Sequence, residues 1–99
     1  MSEITLQQAE VIAQRELDAI GTPGEMVIDR ARTRTLEIGW LFRAETRRFL
    51  ETGDPRYRIP GVGALVVERG SGEASFLPTA VPPDRALEMY LEGRSGTSQ

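Results

Sequence analysis

Two carboxylates, Glu51 and Asp54, stand three positions apart in a stretch crowded with arginine. A carboxylate pair is the raw material for general acid–base catalysis or for holding a divalent cation. No third ligand accompanies them in the sequence, and loop chemistry explains them more simply. Asp54 starts a turn at Asp54-Pro55, and Glu51 caps or pairs with Arg48. The same stretch holds Arg47, Arg48, Arg56, Tyr57 and Arg58. Arginine and tyrosine are enriched at the centres of protein interfaces, where a planar cation and an amphipathic ring bury well. The chemistry that Arg47, Arg48, Glu51, Asp54, Arg56, Tyr57 and Arg58 point to is therefore partner contact, set against solvated surface arginines as the plainer alternative.

The absences narrow the field further. The chain has no histidine, no cysteine and no lysine, so all 12 basic residues are arginine. Ser-His-Asp and Cys-His nucleophilic catalysis are excluded, as are thiolate and imidazole metal sites. An enzyme would have to work with carboxylates, hydroxyls and arginines alone. The expectation is a protein with no catalytic residues, no metal and no cofactor. Gly61-Val62-Gly63 precedes a strand, lacks a third glycine and opens no helix, which rejects a nucleotide-binding loop. A net charge of −3 and few aromatics argue against nucleic acid as a partner. No apolar run approaches the roughly 20 residues that span a bilayer. Met1-Ser2-Glu3-Ile4-Thr5 has neither the basic nor the apolar part of a signal peptide, so a cytoplasmic location is expected.

Charge is spread unevenly. From Met1 to Asp29 six acidic residues stand against Arg15 alone. From Arg30 to Arg58 eight arginines stand against Glu37, Glu45, Glu51 and Asp54. Such asymmetry can mark a surface for an acidic partner, or simply a set of solvated strand exteriors.

These residues need elements to hold them. Thr5 and Gln8 form a capping-box pattern, and Leu6, Ala9, Ile12, Ala13, Leu17 and Ile20 recur at helical spacing before Gly21 and Pro23. A helix from Leu6 to Ile20 follows. Glu25 to Asp29 reads as a short strand. Leu36, Ile38, Trp40, Phe42 and Ala44 alternate with Glu37, Gly39, Leu41 and Arg43, which predicts one half-buried strand with Leu36, Ile38, Trp40 and Phe42 facing the core. Trp40 is read as core by this alternation, not as an interface anchor. Glu45 to Pro60 has no period and reads as a long loop pinned by Phe49 and Leu50. Ala64 to Arg69 and Glu73 to Leu77 form a hairpin around Gly70-Ser71-Gly72. Pro83 and Asp84 open a last helix carrying Leu87, Tyr90 and Leu91, and 93–99 read as a polar, disordered tail. The order α-β-β-β-β-α in one 99-residue domain predicts an α+β fold, with a four-stranded antiparallel sheet and both helices packed on one face.

The ordered landmarks resemble the immunity protein 35 family, also called YrhB-like, of bacterial polymorphic-toxin immunity domains. The matching residues are Gly39, Trp40 and Phe42, then Phe49 to Asp54, Gly61, Gly63, Val67, Gly72, Thr79, Ala80, Tyr90 and Leu91. This chain departs from the pattern at Val62, Ala64 and Pro78. The resemblance implies a protein that binds and neutralises a cognate toxin by contact, as a 1:1 or 2:2 complex, and leaves self-association as a homodimer open. A few relatives of this kind look like small chaperone-like stress proteins that bind unfolded clients, which is the alternative. Within the resemblance, Trp40, Phe42, Phe49, Gly61, Gly63 and Thr79 are read as structural.

Overall fold

The computed structural model describes residues 3–21, 24–58 and 63–97, with 94–97 as backbone alone. The roles read for Pro23 and Gly61 lie outside the described residues. Helix α1 runs Leu6–Ile20, with the bounds its periodicity implies. Its capping box is closed: Thr5 Oγ1 accepts from the Gln8 N–H at 3.2 Å, and Gln8 Oε1 accepts from the Thr5 N–H at 2.8 Å. Gly21 follows at φ 72°, a left-handed position that glycine takes without a Cβ penalty.

After α1 come β1 (Met26–Ile28), a 3-10 turn (Arg30–Arg32), β2 (Arg34–Thr35), β3 (Gly39–Phe42) and β4 (Ala44–Thr46). Helix α2 (Arg47–Thr52), a second 3-10 turn (Pro55–Tyr57), β5 (Leu65–Glu68), β6 (Ala74–Phe76) and α3 (Pro83–Thr97) complete the order. The fold is α+β, and its main sheet is four-stranded and antiparallel in the order β2-β3-β5-β6. A separate two-stranded sheet pairs β1 with β4.

Four details differ from the sequence reading. The stretch from Leu36 to Ala44 is not one strand. Leu36 and Gly39 exchange backbone hydrogen bonds at 2.7 and 3.2 Å around Glu37-Ile38, which makes a tight hairpin between β2 and β3. The chain then leaves the main sheet at Arg43 to enter β4.

The second difference follows from the first. All four residues of β3 are buried, so Leu41 is as much a core residue as its neighbours. Trp40 and Phe42 pack with Leu65, Val67, Ala9 and Ala13 on one side. Leu41 packs with Ala64, Val66, Leu77, Ala86 and Leu87 on the other, and Leu36 and Ile38 lean against that second cluster. A strand pair that is apolar on both faces needs cover on both. The helices therefore sit on opposite faces of the sheet, α1 over one and α3 over the other, instead of together on one.

The third difference is that Glu45 to Tyr57 is not a loop but strand, helix and 3-10 turn in succession. The last helix also continues past Gly93, where the sequence reading begins a tail, to Thr97.

Backbone approach explains the structural glycines. A Cβ built on Gly39 would lie 2.0 Å from the Val67 carbonyl oxygen and 2.9 Å from Glu68 Cα. One built on Gly63 would lie 2.8 Å from the Leu77 carbonyl oxygen and 2.9 Å from Thr79 Cγ2, which places Thr79 as the residue packed against that glycine. The Gly39 clash is with the backbone of a central strand, which has nowhere to go. Gly39→Ala is expected to cost about 1–3 kcal/mol by overpacking, read as a lower midpoint in urea unfolding with an unchanged slope. A midpoint equal to that of the parent protein would show that β3 and β5 can separate freely here.

Candidate partner-binding site

The site is built at the end of β4. Thr46 is 5% exposed, and its single hydroxyl does two things. It accepts from the Phe49 N–H at 3.0 Å, which caps α2, and it donates to the Tyr57 carbonyl at 2.6 Å, which ties the following 3-10 turn back to the strand. Helix α2 is only six residues long and ends at Gly53, φ 72°, whose N–H donates to the Phe49 carbonyl at 2.7 Å. The Thr52 hydroxyl donates to the Arg48 carbonyl at 2.8 Å and accepts from the Asp54 N–H at 3.1 Å. Asp54 then caps the 3-10 turn through the Arg56 N–H at 2.9 Å. A chain of short-range bonds thus folds Thr46 to Arg58 back on itself.

This places the candidate residues together. Arg47, Arg48, Glu51, Arg56, Tyr57 and Arg58 line one open cleft of about 430 Å³, with Gly24, Glu25 and Thr46 completing its wall. Asp54 stands behind Arg56 as its carboxylate partner, taking Nε at 3.0 Å and Nη2 at 2.6 Å. Arg47 reaches Glu25 at 2.7 Å. The Arg48 guanidinium lies over the Tyr57 ring, 5.2 Å from its centre, and Arg58 lies over the Phe49 ring at 4.7 Å. Phe49 is half-buried and belongs to neither core cluster, so it serves as a platform for Arg58 and not as a pin into the core. The pairing of Glu51 with Arg48 is not formed among the described residues. Glu51 instead acts on Arg47, whose pKa its charge helps to raise after the larger effects of Glu25.

Two residues that brace this cleft are not singled out by the sequence. Glu45 is 7% exposed and accepts from Arg58 Nη2 at 2.6 Å and from Arg32 Nη1 at 3.3 Å. Thr46 is the capping hydroxyl described above. The Thr46-x-x-Phe49 spacing is an N-cap pattern, but six helical residues are too few to show a period beside it. Among the described residues no group of three acidic side chains is placed to hold a metal ion, and no helix is long and apolar enough to cross a membrane.

Two carboxylates around the cleft are held ionised by their arginine partners. The Arg56 side chain, then its backbone N–H, holds the Asp54 carboxyl below its ordinary value of 3.8. The hydrogen bond and then the charge of Arg47 hold Glu25 below 4.5. A carboxyl lowered in the folded state stabilises it above the unfolded value, and that support is lost as pH falls through the folded value. Below about pH 4, resonances of α2 and Pro55–Tyr57 in ¹⁵N–¹H spectra should therefore shift and broaden before those of α1 and β5. Simultaneous loss of all resonances would show that the module has no separate acid transition.

Comparison with known proteins agrees with the landmarks on which the resemblance was read. The chain is 42% identical over 52 residues to the uncharacterised protein YrhB of Escherichia coli (strain K12). That match covers 52% of this chain and 55% of the relative, so the chain spans about half the length of the protein it matches. No solved structure matches it. Residues 7–93 match immunity protein 35, a span from the first turn of α1 to beyond the midpoint of α3, and the chain belongs to that family.

Proposed function

We propose that this protein is a bacterial immunity protein that binds a cognate toxin in the cytoplasm and neutralises it by contact, without catalysis, through the cleft between α2 and the Pro55–Tyr57 turn. The family supports an immunity role in general. The observation that carries the finer reading is the convergence of Arg47, Arg48, Glu51, Arg56, Tyr57 and Arg58 on one open cleft. Arginine stacked on tyrosine presents a broad, rigid and amphipathic surface, and such residues dominate the energetics of interfaces. Several of these cations are held in place by neighbours: Arg56 by Asp54, Arg47 by Glu25, Arg58 by Glu45. Each pairing lowers the side-chain freedom that would be lost when a partner docks.

The test is co-expression with the toxin-domain protein encoded beside its own gene, followed by size-exclusion chromatography and a growth assay. A stoichiometric complex and restored growth are expected. Arg48→Ala with Tyr57→Ala should weaken the complex by at least tenfold, because the stacked pair is lost, while circular dichroism and melting temperature stay near those of the parent. Absence of both complex and protection would overturn the reading. Suppressed aggregation of unrelated clients in a light-scattering assay would then move the assignment to a chaperone-like protein.

A further inference from the structure

The ion pairs among the described residues balance most of the arginines one for one. Arg30 meets Glu10 at 3.4 Å, Arg34 meets Asp84 at 3.3 Å, and Arg85 meets Glu88 at 3.0 Å. Arg69 spends its guanidinium on the Leu36 carbonyl at 2.6 Å and on the face of Trp40. Of the remaining arginines, Arg15, Arg43 and Arg48 make no ion pair among the described residues: Arg15 is exposed, Arg48 lies on the Tyr57 ring, and Arg43 is half-buried beside the two-stranded sheet.

There the β1–β4 register sets Asp29 beside Arg43, whose carbonyl accepts from the Asp29 N–H at 2.8 Å. Arg43 and Glu45 are two positions apart on extended chain, so they project from the same face. Glu45 already accepts from Arg58 and Arg32, and Arg32 lies 3.9 Å from Asp29. Arg43 is half-buried, and among the described residues its guanidinium makes no hydrogen bond and no ion pair. Three guanidiniums therefore gather around two carboxylates. Burial first, and then the like charge of Arg32, push the pKa of Arg43 down from its ordinary value, with Arg58 adding to the effect against Glu45 and Asp29. A cation held where its charge is disfavoured is stabilised by an incoming anion.

We propose that Arg43, flanked by Arg32 and Arg58, receives a carboxylate from an acidic segment of the toxin, so that the partner supplies the third negative charge of this network. This rests on the preceding reading and names the chemistry of the partner. Two observations favour a carboxylate on a protein. Glu45 shows that this surface takes a carboxylate between two guanidinium forks. Arg58 belongs both to this cluster and to the cleft, so one partner surface would span the two.

The first probe is an acetylated and amidated hexaglutamate peptide, titrated against the ¹⁵N-labelled full chain while the arginine Nε–H resonances are followed. The signals of Arg43, Arg32 and Arg58 should shift together and saturate. Those of Arg15 and Arg85 should stay, and hexalysine should move none. Arg43→Gln should weaken the peptide at least fivefold without lowering the melting temperature. Equal shifts at every arginine, or none at Arg43, would overturn the proposal. So would inorganic phosphate binding the same three residues more tightly than the peptide, since that would move the site to a phosphate-bearing ligand. In the toxin complex, Arg43→Glu should weaken binding at least tenfold. If the complex forms and Arg43→Glu binds equally well, this inference fails and the immunity reading stands. If hexaglutamate binds at Arg43 but the toxin-domain protein does not bind the chain at all, the immunity reading fails instead, and with it the assignment of this site to a toxin.

Discussion

The antiparallel pair of β3 and β5 is apolar on both of its faces, and the rest of the architecture answers that constraint. Trp40, Phe42, Leu65 and Val67 point one way, and Leu41, Ala64 and Val66 the other. Neither face can be left to water. Helix α1 covers the first with Ala9 and Ala13, small residues that let its backbone come close. Helix α3 covers the second with Ala86 and Leu87. The close approach of the strands, permitted by Gly39 against the Val67 carbonyl, fixes the register from which both layers are built. Once the sandwich is closed, the strand that leaves it at Arg43 has no further core to join. It pairs with β1 at the margin and carries the polar module outward.

The sequence was legible wherever a local interaction has a local signature. The capping box of α1, the glycine after it and the Gly70-Ser71-Gly72 hairpin all have one, and all stand in the structure. The β2–β3 hairpin was hidden for a definite reason. Primed hairpin turns need positive φ and so advertise themselves with Gly or Asn. The turn at Glu37-Ile38 uses no residue at positive φ other than glycine, and its only glycine, Gly39, opens the next strand. Without that mark, the alternation from Leu36 to Ala44 predicts a single strand with Leu41 on its outer face. A sheet with one apolar face in turn asks for helices on one side only. The apolar run Ala64 to Val67 carried the correcting signal, because a strand without polar alternation is buried on both faces.

For the site the outcome is reversed. The residues singled out by type lie together, although the backbone that gathers them shows no period in the sequence. Residue type reports what a side chain is suited to touch, whereas position depends on bonds such as Thr46 to Tyr57 that link residues 11 apart through a side chain. Charge asymmetry along the chain was informative in an unforeseen way. The acidic first segment and the basic middle segment neutralise each other across the fold, as Glu10 with Arg30 and Glu25 with Arg47. The acidic last segment does the same through Asp84 and Arg34. Among the described residues, what remains after this cancellation includes Arg43 and Arg48 in the β4–α2 region.

Lysine-free composition has a structural consequence here. A guanidinium can stack on a ring and hold a carboxylate edge-on at the same time, and an ammonium cannot. Arg58 does both, lying on Phe49 while it binds Glu45, and Arg69 does the equivalent with Trp40 and the Leu36 carbonyl. Each such arginine joins an apolar patch to a polar one at a fixed angle. The module outside the sandwich has little apolar core of its own, since α2 contains no buried residue. Its order comes instead from caps, forks and stacked rings. Those interactions are oriented and partly exposed, so the same bonds that shape the surface also leave it open to a partner. The two parts of the fold are thereby held by different means: the doubly covered β3–β5 pair by apolar packing on both faces, the arginine-braced module by oriented polar bonds.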